Sequence, residues 1–275
     1  MTEAPATETP SGIVETTQTP PPTEEPVTES QTDEEPTSEG PATEESTGEP
    51  YEITRTEITL GADWKYAEFS VIHTGHAVLY QTNHSNGIVI GVNAGHGTRG
   101  GGSQKTYCHP DMSPKVTGGT TEKGAIQGVA VSSGMTFKDG TSERDVNYAL
   151  ACILRDRLLE EGFDVLMLRD GDDVQLDNIA RTVICNYLAD CHIAIHWDSD
   201  SKDYDKGAFY MSVPDGIKYL PNVAAHWEES ERLGDALIRG LKYEGGKIFG
   251  GGAMDQDLSQ TAFSSIPSVV IEMGN

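Results

Sequence analysis

Three apolar segments of the sequence end on residues that could bind a metal ion or carry a proton. The segments read GIVIGVNAGHG, CHIAIHWD and SVVIEMG, and at their polar ends stand His96, His196 and Glu272. Each run is rich in strand-forming residues and predicts a strand. The carboxyl ends of strands in an open parallel sheet line the functional crevice. We therefore expect these three side chains, far apart in sequence, to meet at one edge of a sheet.

A second acidic candidate, Glu143, stands at the start of the first predicted helix. Thr141 or Ser142 is the expected N-cap. One face of the helix is apolar and carries Val146, Ala149, Leu150, Ile153, Leu154 and Leu158. A crossover helix runs antiparallel to its strands, so its first turn lies over their carboxyl ends and brings Glu143 to the crevice. The residues alone favour a plainer interpretation, a first-turn glutamate stabilised by the helix dipole.

These residue types suit metal-assisted hydrolysis. Two neutral imidazoles and one carboxylate leave a zinc ion with net positive charge and an open fourth position, as in catalytic zinc sites. Zinc lowers the pKa of a water molecule towards neutrality. A further carboxylate that is not a ligand is then needed to take the proton of the water and pass it to the leaving amine. Glu272 is the spare carboxylate for that role.

Other histidines are weaker candidates. His192 and His196 have the H-x-x-x-H spacing of a zinc pair, but along a strand they lie roughly 13 Å apart, so only His196 reaches the crevice. His109 is a candidate extra ligand, although a lone histidine beside a proline is more often structural or solvated. A surface or cross-strand position is favoured for His73, His76 and His84 in the N-terminal segment.

Residues 95–100 match G-x-G-x-x-G, the dinucleotide-binding fingerprint. That fingerprint requires a helix to begin inside it, so that the helix amides meet the pyrophosphate. Glycine, serine and proline follow here, without helical periodicity until about Thr141, so nucleotide binding is disfavoured. The connection 98–140 is longer than most loops of compact domains, and we expect it to overhang the site.

The first 50 residues differ from the rest. They hold 13 of the 44 acidic residues and 9 of the 14 prolines, and they contain no lysine or arginine. Such a segment buries too little apolar surface to offset the entropy of ordering it. We predict a disordered, extended Thr/Glu/Pro-rich spacer over residues 1–50 that resembles the stalks of bacterial surface proteins.

The composition of residues 51–275 argues against several classes of protein. Their balance is mildly acidic and lacks the clustered positive charge of a nucleic-acid-binding protein. No apolar run reaches the length of a membrane span, and no signal peptide is recognised, so the protein is either cytosolic or exported by a signal outside this chain. The four cysteines have no zinc-site spacing; Cys185 and Cys191 could pair, but buried thiols are favoured.

The coarse pattern predicts an α/β fold, a twisted, mostly parallel sheet flanked by helices. A β-hairpin with a turn at Thr74-Gly75 is expected to precede it over residues 51–86. Alternating apolar runs and helical patterns then follow. The expected strands are 87–94, 163–168, 191–196, 207–213 and a last one ending at residue 272, and the expected helices are 141–161, 174–189, 225–243 and about 257–263.

Several segments carry a resemblance to a known family. They read VIGVNAGHG, SERDVNYALACILRDRLLEEGFDVLMLRD, IARTVICN, CHIAIHWD, GAFYMSV and SSIPSVVIEMGN, in that order. Over residues 87–275 the chain resembles the zinc-dependent N-acetylmuramoyl-L-alanine amidases of the type 3 family. The resemblance implies one zinc ion held by His96, Glu143 and His196, with Glu272 as the catalytic carboxylate. It also implies a phosphorylase/hydrolase-like fold and hydrolysis of the amide between N-acetylmuramic acid and L-alanine in peptidoglycan.

The sequence departs from the family pattern beside the site. The family usually has Asp-Pro before Gly-His-Gly and Ala-Asn after the third-strand histidine, where this chain has Asn93-Ala94 and Trp197-Asp198. None of these is an implied ligand, so the differences bear on substrate fit. The family's last helix is expected to be missing after Asn275.

The resemblance implies a monomeric, extracellular or cell-wall-associated bacterial protein whose partner is peptidoglycan or muropeptide. Two other hypotheses stay open at this point. One is a non-catalytic wall-binding surface module, motivated by the short C-terminus and Trp197-Asp198. The other is a zinc peptidase that cuts between amino acids of the stem peptide.

Overall fold

The computed structural model describes residues 52–199 and 206–274. The predicted spacer, residues 1–50, lies outside the described residues. The described part contains ten strands and four α-helices. The strands are β1 (Ile53–Ile58), β2 (Ala77–Thr82), β3 (Val89–Ala94), β4 (Lys105–Tyr107), β5 (Gln127–Val129), β6 (Asp164–Met167), β7 (Cys191–His196), β8 (Ala208–Ser212), β9 (Ile248–Asp255) and β10 (Ser268–Glu272), and the helices are α1 (Glu143–Glu160), α2 (Asn178–Leu188), α3 (Pro221–Tyr243) and α4 (Ser259–Phe263).

Eight of these strands form one sheet in the order β1-β2-β6-β3-β7-β10-β8-β9, and β4 and β5 form a separate antiparallel pair. The central strands β6, β3, β7 and β10 run parallel. Strands β2 and β8 join this core antiparallel, one on each side. The predicted α/β fold with a mostly parallel sheet is therefore confirmed.

Helices cover both faces of the sheet, and β6 shows why. Val165 and Met167 lie in a core cluster with residues of α1, whereas Leu166 and Leu168 lie in a cluster with residues of α2. Successive side chains of a strand point to opposite faces, so the two helices pack on opposite sides. A strand buried on both faces reads as a continuous apolar run, which is how FDVLML appears in the sequence.

The N-terminal strand pair differs from the predicted hairpin. Strands β1 and β2 do pair antiparallel, but no tight turn at Thr74-Gly75 joins them. The connection spans residues 59–76 and includes a short 3-10 turn at Ala67–Phe69. Gly75 donates a backbone hydrogen bond to Gln175, so it packs against the main domain. Because β2 pairs with β6, the strand pair forms one edge of the main sheet.

The predicted helices exist, with corrections to their faces and ends. The buried residues of α1 are Glu143, Asn147, Ala151 and Leu159, whereas Ile153, predicted to face the core, is 60% exposed. The buried face of α1 begins with the polar residues Glu143 and Asn147. The apolar periodicity of the sequence therefore predicted the wrong face. Helix α2 begins at Asn178, later than predicted, because the Asp177 carboxylate caps it by accepting from the Ala180 amide at 2.8 Å.

Strand β9 was not predicted. It runs through a segment with three successive glycines, Gly250, Gly251 and Gly252, which usually weaken a strand. All four cysteines are free thiols, and the alternative pairing of Cys185 with Cys191 does not occur. Within the part of the chain that the structure describes, no helix combines the length and apolarity that crossing a membrane requires.

Candidate metal centre

His96 lies just past the end of β3 in a backbone conformation that is rare for a residue with a side chain. Its φ is 68°, in the left-handed region, and Gly97 follows at 71°. Such strain persists only where the surroundings hold it, and it is frequent at functional sites. Arg181 supplies part of that support, since its Nη2 donates to the His96 carbonyl at 2.6 Å.

Two buried arginines fix the backbone that carries His96. Arg181 also donates to the Ala94 carbonyl at 3.3 Å and to the Asn93 side chain at 3.0 Å. Arg169 donates to the carbonyls of Ala94 and Gly95 at 2.9 and 3.2 Å. Burial, reinforced by the neighbouring Arg169, lowers the pKa of Arg181 to about 9. The strand end is thus held by charge-assisted hydrogen bonds from two guanidinium groups.

The long 98–140 connection contacts the same residues from above, as predicted. The Ser132 carbonyl lies 2.8 Å from His96 Nδ1, which assigns the proton to Nδ1 and leaves Nε2 free as a ligand. The Met135 amide donates to Glu143 Oε2 at 2.8 Å. The loop therefore holds the far side of both groups, and Glu143 Oε1 faces the imidazoles.

The three predicted ligand residues come together. His96 Nε2 lies 2.8 Å from Glu143 Oε1, and His196 Nδ1 lies 3.1 Å from each of those atoms. These ligand atoms all lie within 4.8 Å of one another, a group that could hold a metal ion. Two imidazole nitrogens and one carboxylate oxygen are donors that fit zinc. The other side-chain atoms, His96 Nδ1 and Glu143 Oε2, already bond to the 98–140 connection. Each residue therefore offers one atom to a common metal ion.

The charges of the three groups are coupled. Burial opposes ionisation of Glu143, but the adjacent imidazoles of His196 and His96 outweigh it and hold the pKa of Glu143 well below its usual value. Burial also lowers the pKa of His196, and the neighbouring His96 adds to that effect. A neutral imidazole is the form that binds a metal ion. The surroundings thus favour an ionised Glu143 and a neutral His196, the forms that bind a metal ion.

Glu272 lies beside this cluster. It ends β10 directly opposite His196 in the parallel register of β7 and β10. The side chain is buried, and its Oε2 has no hydrogen-bond partner among the described residues. Burial, reinforced by the carboxylates of Glu143 and Asp198, raises the pKa of Glu272 to about 8. Glu272 thus has the environment of a group that gains and loses a proton near neutral pH.

All four predicted residues line one cavity of about 600 Å³. Its floor is the sheet edge at His96, His196 and Glu272. Its roof comes from the 98–140 connection, and its side wall includes Met254, Gln256 and residues 258–260. The volume and mixed polarity suit an extended substrate of moderate size.

Residues 90–275 match the model of the family described as N-acetylmuramoyl-L-alanine amidase. The chain belongs to this family. The amidase hydrolyses the bond between N-acetylmuramic acid and L-alanine in bacterial cell wall.

Solved structures show the same fold for the amidase. The crystal structure of the apo N-acetylmuramyl-L-alanine amidase of Mycobacterium abscessus matches with a TM-score of 0.57 and 21% identity, covering 69% of this chain and 84% of that one. The corresponding amidase of Mycobacterium smegmatis matches with a TM-score of 0.52 and 17% identity, covering 69% and 82%. No curated protein sequence matches the chain.

The other histidines of the amidase lie outside the cluster. His109 is buried and bonded on both sides, to Ser113 Oγ at 2.7 Å and to the Asp257 carboxylate at 2.9 Å, which supports the structural interpretation. His192 is buried at the far end of β7, and burial lowers its pKa to about 3. The remaining four, His73, His76, His84 and His226, are absent from the only metal-type cluster among the described residues.

Sequence reasoning missed several residues that position the site of the amidase. Arg169 and Arg181 lie in the segments that resemble the family, but their contacts with the backbone around His96 were not predicted. For Arg169, the position directly after a buried strand is the signal that could have indicated such contacts. Gly95 has a similar role, since a Cβ there would lie 2.3 Å from the His196 ring. Ser132 and Met135 act through backbone atoms, which no side-chain pattern reveals.

Proposed function

We propose that the amidase is zinc-dependent and uses one zinc ion held by His96 Nε2, Glu143 Oε1 and His196 Nδ1. The close approach of these three atoms supports the assignment. A set of three protein ligands leaves a fourth position open, as catalytic sites require. Zinc bound there would supply a Lewis acid that makes water nucleophilic at neutral pH.

Glu272 acts in this proposal as the proton carrier. At Oε2 it takes the proton that the attacking water loses, and it delivers that proton to the amide nitrogen of L-alanine as the carbon–nitrogen bond breaks. The products are the lactyl carboxylate of N-acetylmuramic acid and a stem peptide with a free amino group. A pKa near the operating pH favours transfer in both directions. The observation that carries the mechanism is the buried Oε2 of Glu272, which lines the cavity and has no hydrogen-bond partner among the described residues.

The orienting groups complete the proposal. The Ser132 carbonyl fixes the tautomer of His96, and the Met135 amide fixes the rotamer of Glu143. Fixed ligands bind a metal ion without first being ordered, which raises affinity. We place the activity outside the cell at the wall, where peptidoglycan lies, and we expect the protein to act as a monomer.

The test is digestion of purified muropeptide by the protein with and without a chelator, followed by mass measurement of the products. We expect free stem peptide, and we expect its release to stop on chelation and to return with zinc. Products cut between amino acids would indicate a peptidase, and binding without products would indicate a wall-binding module. Activity that persists after the metal is removed would contradict the zinc assignment.

A substitution tests the role of Glu272 separately. Glu272→Gln should lower kcat about 100-fold or more, the usual effect of losing a general acid–base group, with unchanged zinc content. Glu228→Gln, on the exposed face of α3, is the matched control. If Glu272→Gln retains full activity, another group moves the proton.

A further inference from the structure

Lys115 stands out among the residues that line the cavity. It is the only lysine or arginine among the described lining residues, and its side chain is buried, with 8% of the residue exposed. Its Nζ donates a hydrogen bond to the backbone carbonyl of Asp257. Over residues 52–199 and 206–274 it makes no ion pair with a carboxylate. Burying an ammonium without a counter-charge is costly, so a retained one calls for a partner.

The side-chain carboxylate of Asp257 is already engaged. Asp257 accepts hydrogen bonds from His109 Nε2 at 2.9 and 3.1 Å and from the Val116 amide at 2.7 Å. Its carboxylate therefore serves the buried histidine and the loop backbone. An ammonium has three donors, and the Asp257 carbonyl uses one of them. Lys115 can still donate to an anion that enters the cavity.

The backbone holds Lys115 in place. Its amide donates to the Ala125 carbonyl, and its own carbonyl accepts from Gly124, both at 2.9 Å. The Val116 amide donates to the Asp257 carboxylate at 2.7 Å. The backbone around Lys115 is therefore fixed, so binding an anion at this residue needs little ordering of the roof.

Glu143 and Glu272 lie at the floor of the cavity, and Asp198 is paired with Lys206. A free carboxylate of the substrate that reaches the roof therefore meets Lys115, the only lysine or arginine among the described lining residues.

We propose that Lys115 binds a free carboxylate of the stem peptide and makes the amidase prefer acidic stems over amidated ones. The inference rests on the proposed function, because it assigns the stem peptide to this cavity. It names a specificity-determining residue on the roof, separate from the metal ligands and Glu272.

The experiment compares N-acetylmuramoyl tripeptides in the zinc-loaded enzyme. One pair differs in whether the D-glutamate residue carries a free α-carboxylate or an amide, and a second pair differs in the same way at the C-terminal carboxylate. We expect kcat/KM to be about tenfold higher for the acid in one of the pairs, the effect of one charge-assisted hydrogen bond, and that pair identifies the carboxylate that binds. Equal rates within both pairs would overturn the proposal without using any variant.

Variants then assign the preference to Lys115. Lys115→Met should remove the preference by slowing hydrolysis of the acid substrate only, whereas Lys123→Met, at an exposed position of the same connection, should keep it. Equal slowing of acid and amide substrates would show a purely structural contact with Asp257 and refute the proposal.

A binding measurement separates this inference from the hydrolytic mechanism. Calorimetry with the free product tripeptides, acid and amide, needs no turnover. Tighter binding of the acid to the wild type but not to Lys115→Met supports the inference even if the enzyme releases no product, an outcome in which only the proposed function fails. Equal affinities overturn the inference while leaving hydrolysis untouched.

Discussion

At the scale of single residues, the candidate metal centre depends on glycines that pack against the side chains of His96, Glu143 and His196. His96 has a left-handed backbone, and the ring of His196 packs directly on Gly95. Gly134 has a φ of +80°, and a Cβ there would lie 2.7 Å from His96 Cδ2 and 2.8 Å from Glu143 Oε2. The glycines therefore allow backbone to approach the ligands closely.

Replacing one of these glycines should weaken metal binding. Gly134→Ala places a methyl group against His96 and Glu143 and displaces both from the common centre. We expect the affinity for zinc to fall about tenfold or more, the range seen when orienting groups of metal ligands are lost. Competition with a chromophoric chelator measures the dissociation constant.

The chain offers a matched control for this substitution. Gly140 has a φ of +89°, and a Cβ there would meet nothing within 4 Å. Gly140→Ala thus adds the same backbone strain without the clash. If both variants lose zinc affinity equally, strain in the connection explains the result and contact with the ligands does not.

At the scale of elements, the site exists because two parallel strands, one helix and one long connection end at the same place. Strand β3 delivers His96, β7 delivers His196, and α1 presents Glu143 from its first turn. The 98–140 connection then closes over them through Ser132 and Met135. The side chain of Arg181, from α2, links the turn after β3 to the rest of the sheet.

The link through Arg181 should be sensitive even to a conservative change. Its guanidinium donates to five acceptors, on Asn93, Ala94, His96, Thr98 and Leu176. Lysine has three donors on one nitrogen and cannot span this set. We expect Arg181→Lys to lower the free energy of unfolding by about 3 kcal/mol, since buried acceptors lose their partners. Urea denaturation measures the change.

The matched control is Arg239→Lys, at an exposed position of α3. It makes the same change of residue type without removing the hydrogen bonds that Arg181 makes. It should alter stability by less than about 0.5 kcal/mol. A loss of similar size in both variants would mean that the hydrogen bonds of Arg181 do not carry the effect.

At the scale of the whole molecule, a bound metal ion should stabilise the fold, because its three ligands come from separate parts of the chain. A ligand at 100 times its dissociation constant adds about 2.7 kcal/mol when only the folded state binds it. For a domain of this size we expect chelation to lower Tm by roughly 5–10 °C. Calorimetry with and without chelator tests this.

The corresponding control removes one ligand. His196→Ala should unfold at the same temperature with and without chelator, since the variant lacks one of the two imidazoles of the site. A Tm shift on chelation that persists in this variant would place the stabilising metal elsewhere.

The edge strands show a limit of sequence reasoning at this scale. The pairing of β1 with β2 could be predicted from alternation, but the pairing of β2 with β6 could not. Alternation reports which side of a strand is buried and gives no information on the neighbour that covers its backbone. Strand β9 was not predicted for the same reason. Its pairing with β8 compensates for the low strand propensity of its three glycines.

The sequence by itself determined the α/β fold, the order of the central strands along the chain, and the positions of His96, His196 and Glu272 at strand ends. Those features follow from local apolar patterns, which a single chain displays directly. Only the tertiary structure decided that Glu143 faces the histidines, that Ser132 and Met135 bond to His96 and Glu143, and that Lys115 lines the cavity with no ion pair among the described residues. These features depend on packing between distant segments and on backbone atoms that every residue shares, so no residue pattern encodes them locally.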